Sequence, residues 1–174
     1  MRRSAKPHTE FGRCRRAAGR LVRDDAGAAL VEFAIILPMM LVVFAVIIEG
    51  SRLMLSYHGA IAGVRDATRF LARVVPGTIC ATGGSVAGYA GQLQTIVGAS
   101  VGGSPVLPSG VTVNSVTPSH TCVTGTYRIN PTPVATVTAS ITVTFPFSGL
   151  FTLVGATAPT LTRTVTDRAR IFGT

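Results

Sequence analysis

The stretch GAALVEFAIILPMMLVVFAVII, residues 27–48, decides how the rest of the chain can fold. The 21 residues from 28 to 48 carry a single charge, at Glu32. As an α-helix with a rise of ~1.5 Å per residue they are roughly 31 Å long, which matches the ~30 Å hydrocarbon core of a bilayer. The run therefore predicts one transmembrane helix over residues 28–48.

The segment before this run is strongly basic. Residues 1–27 hold eight of the 16 Lys and Arg residues of the chain but three of its seven acidic residues, and the formal net charge of the whole chain is +9. Excess Lys and Arg beside a span favour the cytoplasmic side. We therefore expect a basic cytoplasmic leader over residues 1–27 and an extracytoplasmic C-terminal domain on a single-pass protein of the cell (inner) membrane. Because Phe11 is the one aromatic residue in the leader, we expect no binding of nucleic acid.

The sequence after the run continues in a helical pattern. Apolar or semi-polar residues recur in steps of three and four, while Arg65, Arg69 and Arg73 fall on another face. The recurring positions are Tyr57, Ile61, Val64, Thr68, Leu71 and Val75. Since no proline or turn cluster separates the two parts, an amphipathic helix over residues 49–76 should continue the span and end at Pro76-Gly77.

The remainder, residues 77–174, is rich in Gly and Thr and predicts a small β domain. From residue 135 to 145, apolar and hydroxyl side chains alternate without exception, as in a half-buried antiparallel strand. Weaker strand predictions cover residues 111–117, 122–129 and 160–171, and a short helix is expected near 86–97 in a region otherwise interpreted as surface loop. A sheet of three or four strands laid on the apolar stripe of the helix would bury both surfaces. The predicted fold class is α+β, with a long N-terminal transmembrane and amphipathic helix followed by a small antiparallel sheet.

The three cysteines fall on two sides of the predicted span. Cys14 lies in the leader, where thiols stay reduced, whereas Cys80 and Cys122 follow the span in a compartment that permits disulfides. We therefore expect Cys80 and Cys122 to form a disulfide. No second ligand stands at metal-site spacing from any cysteine, so we predict neither a metal nor another cofactor.

Groups that could support catalysis are few beyond the span. The acids there are Glu49, Asp66 and Asp167, and none forms a recognisable arrangement with a histidine and a nucleophile. We therefore predict that the chain is not an enzyme and has no small-molecule substrate. Glu49 and Arg52, three residues apart, are expected to pair and to mark the outer membrane interface. The glycines of GAIAG, residues 59–63, are interpreted as packing positions rather than as a helix dimerisation site.

The start of the apolar run has an order of residues that suggests processing. A basic leader is followed by Gly27, the four residues AALV, then Glu32, Phe33 and a long apolar helix. This order resembles the signal of type IV prepilins, in the version found in tight-adherence (Flp/Tad) pili. The resemblance implies that a membrane prepilin peptidase cuts between Gly27 and Ala28 and that Glu32 becomes the fifth residue of the mature chain. Phe33 stands where the major Flp pilin usually has tyrosine, which favours a minor, pilin-like component.

The resemblance extends over residues 27–73, through VEFAIILP, IIEGSR and VRDATRFLAR. This segment resembles the TadE-like proteins of the Flp/Tad pilus assembly system. The resemblance implies a pseudopilin, a structural component in which Glu32 and Phe33 serve assembly. Its implied partners are the membrane, a prepilin peptidase, other pilin-like subunits and Tad assembly proteins.

Two alternatives remain open at this point. An uncut single-pass protein would display its β domain to bind a surface or a sugar, with Glu32 tolerated near the membrane interface. A secretory signal peptide fits less well, because its apolar core is only ~7–15 residues long and ends in small residues rather than in IIEGSRL.

Overall fold

The structure is a computed structural model that describes residues 25–100, 102–147, 149, 152, 155 and 160–173. Most of the predicted basic leader, residues 1–24, lies outside the described residues. The described chain begins with helix α1, Asp25–Val74, so the apolar run and the amphipathic part form one helix. This helix ends two residues before Pro76, as the Pro-Gly pair predicts. By contact the chain divides into two compact units, Met1–Val43 and Phe44–Thr174.

In its described part, the first unit is the beginning of α1. Most of its large apolar side chains are exposed, namely Leu30, Val31, Phe33, Ile35, Ile36, Met39, Met40, Leu41 and Val43. Among the described residues, one helix, Gly27–Val74, is long and apolar enough to cross a membrane. A helix that is apolar on all sides avoids water only inside protein or lipid. This helix fits a single-pass membrane protein.

The second unit contains a three-stranded antiparallel sheet in the order β1-β2-β3. The strands are β1, Val111–Val123, β2, Thr132–Val143, and β3, Leu161–Arg170. The central strand β2 has the predicted alternation, with its apolar set facing inward: Ala135, Val137, Ala139, Ile141 and Val143. A long helix followed by a small antiparallel sheet confirms the α+β fold class.

The weaker strand predictions have mixed outcomes. The prediction over 160–171 is confirmed by β3. The one over 111–117 was too short, since β1 continues through Pro118, which an edge strand tolerates because one side of it makes no ladder hydrogen bonds. A separate strand over 122–129 is wrong. After Val123 the chain turns toward β2, and the Gly125 N–H donates to Asn130 Oδ1 at 3.2 Å.

The core lies between the inner face of the sheet and one stripe of α1. Four predicted stripe positions are buried: Val64, Thr68, Leu71 and Val75. Ala60 and Ala67 are fully buried beside them, although the predicted stripe omitted both. Tyr57 was wrongly included, because it is exposed. The Thr68 hydroxyl donates to the Val64 carbonyl oxygen at 2.7 Å, so its burial leaves no hydroxyl unsatisfied.

Three short elements connect α1 to β1. They are α2, Ile79–Thr82, a 3₁₀ turn, Ala87–Tyr89, and α3, Ala90–Gly98. The short helix predicted near residues 86–97 is confirmed, but the surrounding region is less loop-like than expected. Helix α3 approaches α1 closely at Gly63, where a Cβ atom would lie 2.7 Å from the Val97 carbonyl oxygen. Gly63 is thus needed for packing within the chain, as the interpretation of GAIAG favoured.

Candidate functional site

The predicted cleavage residues lie near the start of the described part of α1, Asp25–Val74. A Cβ atom at Gly27 would meet no heavy atom within 4 Å. Packing among the described residues therefore gives no reason for a glycine, although glycine in a helix costs about 1 kcal/mol relative to alanine.

Glu32 and Phe33 are both exposed on α1. Glu32 follows Ala28 by four residues, which places the two about one helical turn, or ~6 Å, apart along the axis. In the described part of the chain the ion pairs are Glu49–Arg52 and Asp66–Arg69, and neither involves Glu32. A carboxylate in an apolar run is costly unless it meets a partner or the membrane interface. The structure leaves the Glu32 carboxylate free to take a partner from outside the described chain.

A second polar cluster fastens α1 to the sheet. Glu49 is buried, and its Oε1 accepts the N–H of Phe147 at 2.7 Å. Its Oε2 lies 3.9 Å from Nε of Arg52, which confirms the predicted pair. The Nη2 of Arg52 in turn donates to the carbonyl oxygen of Ser109 at 2.7 Å. We refer to Glu49, Arg52 and these two backbone partners as the clamp.

The clamp acts on both chain segments that meet at one end of the sheet. Ser109 comes just before β1 and Phe147 just after β2, and the two strands pair there through Val111 and Val143. Gly110 adds to this contact, since its carbonyl oxygen accepts hydrogen bonds from the N–H and from the hydroxyl of Thr144, both at 2.8 Å. Its φ of +85° is a conformation that glycine adopts without strain. One pair of residues on α1 therefore fixes the end of the sheet.

Sequence reasoning found the Glu49–Arg52 pair but missed the clamp. The partners of the pair lie 98 and 57 residues away along the chain, and the contacts use backbone groups that any residue supplies. The available signal was an acid directly after an apolar run, because a carboxylate buried there needs more than one partner.

The opposite end of the sheet is joined to the connecting region and to α1. Cys80 in α2 is bonded to Cys122, near the end of β1, across 42 residues of sequence. Beside it the C-terminal segment runs against the last turn of α1. The Phe172 N–H donates to the Ala72 carbonyl oxygen at 3.0 Å, and the Gly77 N–H donates to the Gly173 carbonyl oxygen at 2.7 Å. The first of these bonds satisfies the carbonyl of Ala72, which lies in the last turn of the helix, where carbonyl groups lack intrahelical partners.

No group of three or more His, Cys, Asp and Glu side chains that could hold a metal ion occurs within the described ranges. The polar chemistry assembled there is instead the exposed carboxylate of Glu32 and the buried clamp. Neither arrangement brings a nucleophile beside a general base, which is what covalent catalysis requires.

These features describe an α+β protein with a small antiparallel sheet and a long apolar N-terminal helix, and this helix fits a single-pass membrane protein. Residues 27–69 match the family model described as TadE-like protein. This segment is therefore similar to TadE-like proteins of the Tad pilus system, which confirms the resemblance drawn from residues 27–73. The match covers about a quarter of the chain and includes Gly27, Glu32, Glu49 and Arg52. No curated relative and no solved structure matches the chain.

The clamp predicts a stability effect. Replacing Glu49 with alanine leaves the Phe147 N–H without its acceptor and Arg52 without its partner, so Glu49→Ala should destabilise the second unit by roughly 1–3 kcal/mol. Glu49→Gln keeps an acceptor oxygen and should recover part of this loss. Pulse proteolysis of the full chain in detergent micelles, across a urea gradient, measures the folded fraction.

Asp66→Ala is the matched control for this measurement. It removes another acid of the same helix, which pairs with Arg69 while both side chains are about two-thirds exposed. Such surface pairs contribute about 1 kcal/mol at most, so we expect little change. Equal urea midpoints for Glu49→Ala and Asp66→Ala would show that the clamp does not stabilise the sheet.

Proposed function

We propose that this protein is a pseudopilin, a minor structural component of a Flp/Tad-type pilus that a prepilin peptidase processes between Gly27 and Ala28. One observation carries the proposal: the TadE-like match begins at residue 27, where the basic leader ends and the apolar helix starts. A shared region that begins at the residue before the proposed cut is what removal of a variable leader predicts. The role is structural, with no cofactor or small-molecule substrate.

The geometry around Gly27 supports this processing step. A peptidase binds the bond it cuts in an extended conformation, and a residue without a side chain offers the least hindrance there. Gly27 already lies in open space, with no heavy atom within 4 Å of a Cβ atom placed there. The bond after Gly27 also precedes the apolar run, so it can enter the peptidase without disturbing that run.

We propose the matching topology and partners as well. The basic leader lies in the cytoplasm, α1 crosses the inner membrane over residues 28–48, and the sheet unit is extracytoplasmic. Apolar side chains exposed all around the first part of α1 then contact lipid before assembly. Other pilin-like subunits and Tad assembly proteins are the partners that receive this helix.

The cleavage proposal predicts a block in processing for Gly27→Leu. Mass spectrometry of the N-terminus should find Ala28 first in the unmodified protein and the intact 27-residue leader in the variant. Gly50→Leu is the control, because Gly50 also lies on α1 with no heavy atom within 4 Å of a Cβ atom. It should be processed normally.

Two results would speak against this function. Normal processing of Gly27→Leu removes the proposed recognition of Gly27. Retention of the leader on the unmodified protein, in cells with an active Tad system, favours the uncut single-pass protein with a binding domain.

A further inference from the structure

Burial on α1 begins inside the apolar run rather than after it. Ala45 is 2% exposed and Glu49 is 4% exposed, and the two lie four residues apart on one face of the helix. Ala34, on the part of α1 that belongs to the first unit, is exposed. An alanine on a helix without neighbours stays accessible, as Ala34 does, so residues outside α1 must bury Ala45. The packed part of the second unit therefore reaches about one turn into the run of residues 28–48.

The side chains at this end of the second unit suit a lipid interface. Phe147 is 38% exposed next to the clamp, and Phe145 is half-buried. Across the end of the sheet, Met54 of α1 and Leu161 and Arg163 of β3 line one groove. Aromatic and aliphatic groups beside an arginine that can reach the headgroups are typical of chains that lie in the interfacial region.

The connecting segments at the two ends of the sheet differ in charge. From residue 129 to 162 the sequence contains no charged residue, and this stretch includes the segment that links β2 to β3 at the clamp end. The acid of the clamp, Glu49, is buried against Arg52. At the other end of the sheet lie Arg128, between β1 and β2, and Arg170, the last residue of β3. The segment that connects β2 to β3 at the clamp end is thus uncharged, whereas the segment that connects β1 to β2 at the other end carries Arg128.

From these observations we propose that the clamp end of the sheet, with Phe147 at its centre, lies in the outer interface of the bilayer that α1 crosses. The step from Ala45 to Glu49 is ~6 Å along the helix, comparable with the ~5–10 Å depth to which apolar faces enter the interfacial region. The clamp sets this depth, because it binds the Phe147 backbone to the first residue after the apolar run. The inference rests on the proposed function, which places α1 in a membrane.

The absence of tryptophan from the sequence makes the inference directly testable. Three single-tryptophan variants of the full chain are reconstituted into vesicles of phosphatidylcholine and phosphatidylglycerol with brominated acyl chains, which quench tryptophan in contact with lipid. Phe147→Trp reports on the clamp end. Phe44→Trp, in the apolar run, is the positive control, and Tyr127→Trp, exposed between β1 and β2 at the far end of the sheet, is the negative control.

We expect Phe147→Trp to lose most of its fluorescence to the brominated lipid, as Phe44→Trp does, while Tyr127→Trp keeps its fluorescence and is quenched by acrylamide. Protease resistance of the sheet unit in each variant shows that it is folded. If Phe44→Trp is quenched by lipid but Phe147→Trp is no more quenched than Tyr127→Trp, this inference is overturned and the membrane span stands. Protection of Phe147→Trp from both quenchers would instead indicate a protein neighbour and overturn the lipid contact. Lack of lipid quenching at Phe44→Trp would overturn the span and the inference together.

Discussion

Replacing Cys80 and Cys122 together by serine should lower the free energy of unfolding of the second unit by about 4 kcal/mol, in the chain-entropy account of disulfides. The bond closes a loop over a sequence separation of 42 residues, which includes most of α2, all of α3 and most of β1. Without it, the unfolded chain regains the freedom of that whole loop. The loss is a large fraction of the ~5–15 kcal/mol by which domains are typically stable.

Urea titration of the full chain in detergent, read by pulse proteolysis with and without reductant, measures this loss. Cys14→Ser is the control, since Cys14 lies in the proposed cytoplasmic leader and should leave the urea midpoint unchanged. The unmodified protein should also resist thiol labelling at Cys80 and Cys122 after processing. Two free thiols there, or a midpoint insensitive to reductant, would contradict a stabilising disulfide.

Elements defined by local patterns could be predicted from the sequence. The strict alternation in β2 places every second side chain on one face whatever else the chain does, so its inner face follows from the pattern. The end of α1 follows from Pro76, because proline restricts the residue before it and cannot donate an intrahelical hydrogen bond. The apolar run is long enough to fix a helix by length and composition.

Features that depend on distant contacts could not be predicted in this way. The full length of β1 is one such feature, because a strand accepts a proline such as Pro118 only at the edge of a sheet. Small residues such as Ala60 and Ala67 carry little hydrophobic signal, yet their size lets the sheet approach α1. The clamp joins Glu49 to a backbone group near the end of β2, so no local spacing reveals it.

The burial of Glu49 in the clamp also changes how the role of Glu32 in assembly must be tested. From the sequence alone, Glu49→Ala is expected to have much less effect on assembly than a substitution of Glu32. In the structure Glu49 is buried in the clamp, so its removal disturbs the sheet unit and no longer isolates the effect of lost charge. Asp66 is the better comparison, because it lies within the TadE-like match and is well exposed.

Glu32→Ala should leave membrane insertion and cleavage intact but abolish most incorporation into the assembled complex. Cleavage after Gly27 creates an α-amino group at Ala28, and such groups titrate near pH ~7.7–8.0, so it is largely protonated at neutral pH. Glu32 is about one helical turn away and exposed, which allows it to meet this amine or the amine of a neighbouring subunit. In a medium of low dielectric constant an unpaired carboxylate is strongly disfavoured, so pairing with a neighbour's amine stabilises the assembled state relative to the isolated subunit.

The measurement for Glu32→Ala is co-purification of the processed variant with tagged Tad components, together with N-terminal mass spectrometry. Asp66→Ala should co-purify normally, and Glu32→Gln should fail as Glu32→Ala does because it lacks the charge. If Glu32→Ala is processed and co-purifies as well as the unmodified protein, the carboxylate is only tolerated at the interface and does not drive assembly.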